Sequence, residues 1–164
     1  MNIMDTDTVL REHLLSLLNG GNAHMGFDDM IADFPPEHIN SKASHVTYTP
    51  WHILEHIRIT QLDILEFIRN PRYQSPSWPV GYWPAQDAQA DKAAWDRTIA
   101  AFQADLQTLK QMVQDPKTDL YTRLPHGTGQ TILREILLVA DHNAYHIGEF
   151  AVLRQVMQTW RDRE

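Results

Sequence analysis

Two histidines four residues apart on a helix point their imidazoles the same way, which lets both reach one metal ion. The chain carries that spacing twice, as His52-x-x-x-His56 and His142-x-x-x-His146. With nine histidines in 164 residues, about half such a pair arises by chance, and two pairs about one time in ten. Spacing alone therefore leaves a plainer alternative, in which each imidazole caps or bonds within a core. The surroundings of the second pair favour chemistry. At 100° per residue, Glu135, His142, His146 and Glu149 fall within about 60° of one another. The rest of that helix is apolar on nearly every face, from Ile132, Leu133 and Ile136 to Phe150, Val152 and Leu153. A helix apolar all round is a buried one. Ionisable groups on one stripe of it should face a partner, a metal or a wet cavity, because burying unpaired charge is expensive.

Four helical stretches must position this stripe. The first runs from about Thr6 to Leu18 and stops at Asn19-Gly20-Gly21; a short turn of helix follows around Phe27–Asp33. The second main helix begins at Thr49-Pro50, an N-cap and a proline at the first helical position, and ends at Asn70-Pro71. Residues 71–86 contain Pro71, Pro76, Pro79 and Pro84, which forbid regular helix. Tyr73, Trp78, Tyr82 and Trp83 lie among them, as in a lid or in packing that covers a bundle end. The third helix is expected from about Asp87 to Gln114, and the fourth from Gln130–Thr131 to about Gln158. No strand alternation is evident. The expected fold is an all-α four-helix bundle with long connecting loops, one domain over residues 1–164, its fourth helix buried by the other three.

On the second main helix, the wheel places His56 at the edge of the apolar stripe and turns His52 toward solvent or the lid. Asp63, seven residues further on, shares the edge of His56 and can orient it. His13, His24, His38, His45 and His126 are read as surface residues. Glu149 and Glu135 are candidates for orienting an imidazole or shuttling a proton. Glu149 ranks first, one turn from His146. Salt bridges to Arg134 or Arg154 are the plainer role for both.

Composition removes other chemistry. Cysteine is absent, which excludes disulfides, thiolate metal sites and cysteine nucleophiles. A net charge of −7 argues against broad nucleic-acid binding. No segment approaches the roughly 20 apolar residues of a membrane span. The N-terminal residues, with Asp5, Asp7, Arg11 and Glu12, do not read as a signal peptide. A cytoplasmic protein is expected.

The segment Asp141-His142-Asn143-Ala144-Tyr145-His146-Ile147-Gly148-Glu149 resembles the H-x-x-[HY]-H-x-G-Q signature of the DinB-like superfamily of bacterial four-helix proteins. Thr49-Pro50-Trp51 followed by Leu54-Glu55-His56-Ile57 is similar to that family's second-helix segment. The resemblance implies a metal held by His56, His142 and His146. Glu149 stands where the family often has Gln, and Gly148 would permit close helix contact. Three neutral imidazoles leave a coordination position for water, as in a catalytic site. They suit Zn²⁺, Ni²⁺ or Fe²⁺. The implied activity is a transferase using a low-molecular-weight thiol, or a hydrolase, acting on a small-molecule substrate with Glu149 as the catalytic carboxylate. The alternative is a metal- or ligand-binding stress protein without turnover. A homodimer is expected, from the resemblance and from the way helical bundles pair.

Overall fold

The computed structural model describes residues 5–160. The domain assigned from sequence also includes residues 1–4 and 161–164, which lie outside the described residues. Helices α1 (Thr6–Asn19), α2 (Phe27–Ile31), α3 (Pro50–Arg69), α4 (Lys92–Gln114) and α5 (Ile132–Val156) account for the regular structure, with 3-10 turns at Pro36–His38 and Val80–Tyr82. No strand forms among the described residues; an isolated bridge joins Arg123 and Thr131. The all-helical expectation holds, with four long helices and one short one.

Side-chain caps fix where α3, α4 and α5 begin. Thr49 Oγ1 accepts from the His52 N–H, Asp91 Oδ1 from Ala94 and Thr131 Oγ1 from Arg134. Each oxygen satisfies an amide that the first turn leaves without a helical partner. The Asp91 cap explains why α4 starts at Lys92, later than the expected Asp87. Residues 85–90 offer no comparable cap and remain in the connector.

Helix α3 packs against α4 and α5, and α1 closes the bundle over the same two. One apolar cluster contains Leu14, Ile64, Leu65, Leu109, Ile136 and Val139. The other contains Met30, Ile53, Leu54, Phe102, Ile147 and Phe150. A polar bridge crosses the interior: Asn143 Nδ2 donates to Gln61 Oε1 (3.0 Å), and Gln61 Nε2 donates to the Phe102 carbonyl (2.8 Å). Buried amides placed this way tie α5, α3 and α4 together.

Helix α5 departs from the expectation of burial on all sides. Leu137, Tyr145, Val152 and Val156 stay exposed. Leu137 lies nearly opposite the histidine stripe, whereas Tyr145, Val152 and Val156 lie on one face beside it. Gly148 sits on that face, and a Cβ built there meets nothing within 4 Å. The close helix contact anticipated at Gly148 is therefore not made among the described residues.

Candidate metal centre

Helix α3 supplies His56 from its second turn, and α5 supplies His142 and His146 one turn apart. The ligand-capable atoms of these three residues all lie within 4.8 Å of one another. His56 Nε2 is 3.1 Å from His146 Nε2 and 3.2 Å from His142 Nε2. The cluster expected from the sequence and its resemblance is brought together, and it could hold a metal ion.

The partners of the opposite ring nitrogens decide the tautomers. His56 Nδ1 is 2.7 Å from the Tyr82 carbonyl oxygen. A carbonyl only accepts, so Nδ1 carries the proton. His146 Nδ1 is 2.7 Å from Glu149 Oε2 and donates in the same way. In both neutral rings Nε2 is then a bare lone pair, and the two lone pairs face each other. Burial pushes the His56 imidazole below its ordinary value and drives that of His142 down to about 3, helped by the neighbouring His146 and His56. Facing lone pairs repel unless a cation lies between them, so this donor set fits a divalent metal.

Glu149 continues outward from the cluster. The Tyr48 hydroxyl donates a short hydrogen bond to Glu149 Oε1. These two donors, His146 first, hold the Glu149 carboxyl below the usual carboxylate range despite its partial burial. Tyr48 moves the opposite way, raised by burial and by the adjoining carboxylate, and keeps its proton. The chain Tyr48–Glu149–His146 thus runs from a phenol to a ligand-capable nitrogen. Tyr48 was not singled out in the sequence. It lies in a connector, with no periodicity to mark it; its position just before the Thr49 cap was the available signal.

The proline-rich connector builds another wall. The Trp83 ring stacks on His56 at 3.9 Å between centroids and 5° between planes. Asp63 acts on His56 at one remove: it accepts from the Tyr82 hydroxyl at 2.8 Å, while the Tyr82 backbone receives the imidazole proton. Close chain approach sets this path, since a Cβ at Gly81 would lie 2.6 Å from Pro76 Cβ. Trp78 takes no part in the wall and is 76% exposed. A cavity of about 370 Å³ beside the cluster is lined by Tyr48, His52, Trp83, Gln86, Tyr145, His146 and Glu149, with Thr47 and Pro84.

Two open readings are decided. Of the two placements expected for His52, solvent or the lid, it takes the second. It is 3% exposed, and its Nε2 is 2.9 Å from the Ala88 carbonyl, because the connector folds over the face that the wheel reads as outward. It stays outside the three-histidine group. Glu135 also leaves the site: it is buried and paired with Arg134 at 2.7 Å, which is the plainer role named for it. Among the remaining histidines, His126 is half-buried, with Nε2 2.6 Å from the Phe67 carbonyl.

No helix among the described residues is long and apolar enough to cross a membrane. Against known proteins, residues 22–150 match the family described as the DinB superfamily. No curated protein and no solved structure matches.

Proposed function

Because the chain belongs to the DinB superfamily, and because three of its imidazoles converge, we propose that it is a cytoplasmic divalent-metal-dependent enzyme. In this reading His56, His142 and His146 hold the ion, and the reaction is transfer to or from a low-molecular-weight thiol, or hydrolysis of a small substrate. The observation that carries it is the pair of Nε2 atoms 3.1 Å apart on His56 and His146, with both Nδ1 protons already given to acceptors.

A divalent ion held there supplies acidification of a water or thiol toward neutral pH. The chain supplies the rest. Tyr82 and Glu149 fix two imidazoles in the tautomer that ligates. Tyr48 donates to Glu149 and keeps it aimed at His146. Glu149 also lines the cavity, so it is the carboxylate placed to take a proton from a bound substrate. Trp83 covers one face of His56 and limits water there.

The test is elemental analysis of freshly purified wild type beside His142→Ala, followed by a turnover screen against thiol conjugates and small esters and amides. About one metal per wild-type chain, lost in the variant, supports the centre. Full metal in the folded variant overturns it. Metal without turnover on any substrate class would leave a binding protein in place of an enzyme.

A further inference from the structure

A second, shallow trough of about 360 Å³ adjoins the cavity beside His146, shares Tyr48, Tyr145 and Glu149 with it, and runs along α5 past Gly148 to Val152 and Val156. Val46 and Leu153 complete its apolar walls. Val152 and Val156 are 64% and 58% exposed, an arrangement that water disfavours unless something apolar covers it. The open backbone at Gly148 leaves room for a chain of methylenes. Among the described residues, neither cavity is lined by a Lys or Arg, and Glu149 is the carboxylate lining both. The rings of Tyr48, Trp83 and Tyr145 line the end near the histidines.

We propose that the two cavities together take one amphiphile, with an uncharged or cationic head beside His146 and Glu149 and an apolar tail over Gly148, Val152 and Val156. The three lining residues that the trough shares with the cavity assign the tail to the molecule whose head lies beside His146. A carboxylate excludes anionic heads, while aromatic faces accept neutral or cationic ones. As the substrate class of the enzyme this rests on the metal-centre reading, and it narrows the thiols concerned to those without several remote carboxylates, which would meet no Lys or Arg in either cavity. The binding itself does not require the ion.

Calorimetric titration of the metal-free full chain separates these points. The probes are octyltrimethylammonium, 1-octanol and octanoate, each beside its butyl homologue. A buried methylene is worth about fourfold in affinity. In a half-open trough, octyl probes with neutral or cationic heads should bind one per chain, at least tenfold tighter than their butyl homologues and at least tenfold tighter than octanoate. Gly148→Leu, which places a side chain in the trough, should abolish the gain from the longer tail. Glu149→Gln should reduce the discrimination against octanoate.

Equal binding of octyl and butyl probes overturns the tail site, and so does a gain from tail length that survives Gly148→Leu. Octanoate binding as well as the other octyl probes overturns the charge selection. Sedimentation showing a dimer that Val152→Asp converts to monomer would assign the trough to a second copy and overturn the proposal. Loss of the metal reading in elemental analysis would leave all of these titration results standing.

Discussion

Helix α5 carries two buried polar centres about two turns apart, and they are completed in opposite ways. Arg154 is 1% exposed. Its guanidinium donates to the carbonyls of Met30 (2.7 Å), Ala32 (2.8 Å) and Thr159 (2.9 Å). It lies 3.8 Å from the Trp160 ring centroid and 5.4 Å from that of Phe34. A cation here meets acceptors and π faces, all supplied by the chain. At His56 and His146 both Nδ1 protons are answered by acceptors and the two Nε2 atoms are aimed at each other, while no acceptor on the Nδ1 of His142 sets its tautomer. A buried group answered by its own fold is structural. Lone pairs gathered without a cation from the chain are suited to an ion from outside.

The contrast breaks first under substitution of the two centres. His142→Ala removes one of three nitrogens, and metal affinity should fall by orders of magnitude. The metal-free form should lose no more than about 1 kcal/mol, since the buried His142 Nδ1 has no hydrogen-bond partner to lose. Arg154→Ala should do the reverse. It leaves buried carbonyls unpaired and should destabilise the fold by about 3–5 kcal/mol in urea titration, while the folded fraction keeps its metal. If both variants lose stability and metal together, the two centres are not distinct.

Smaller substitutions sharpen the comparison. Glu149→Gln keeps an acceptor for His146 but removes its charge, and should weaken metal binding about 10–100-fold in a competitive chelator titration. Tyr48→Phe acts one step further out and should weaken it less than Glu149→Gln does. His52→Ala should retain metal and lose about 1–2 kcal/mol, from burial and from the contact with Ala88.

Acid should separate the centres again. The His142 imidazole goes from 6.5 to about 3 in the folded chain, and His56 shifts the same way. Below pH about 6.5 the unfolded chain binds protons that the folded chain refuses. The stability held above that pH is therefore lost progressively as pH falls toward about 3. Metal-free wild type should show this fall in its urea midpoint, and His142→Asn should flatten it. Arg154→Gln should leave the slope unchanged, because glutamine does not titrate and arginine keeps its proton throughout that range. A midpoint independent of pH would mean that the histidines are not held neutral.

Much of this was legible in the chain because helix geometry is local. Thr49-Pro50, Asn70-Pro71 and Asp115-Pro116 mark helix ends close to those observed, through caps and missing amides that act within one turn. The Glu135–His142–His146–Glu149 stripe follows from 100° per residue. Whether His52 faces solvent or the lid stayed open for a reason of the same kind. A wheel ranks the faces of one helix, and it cannot see a connector twenty or more residues away folding over one of them.

By itself, then, the sequence determined the helices, their caps, the pairing of His142 with His146 and the absence of cysteine chemistry, because each depends on covalent order or on bonds spanning about four residues. Tertiary structure decided which ring nitrogens are left without an acceptor of their own and what surrounds them. The Tyr82 carbonyl fixes the tautomer of His56 from 26 positions away, and Tyr48 reaches Glu149 from 101 positions away. Those distances along the chain are closed by the path of the connectors, through prolines, the close approach at Gly81 and aromatic packing, and no periodicity encodes that path.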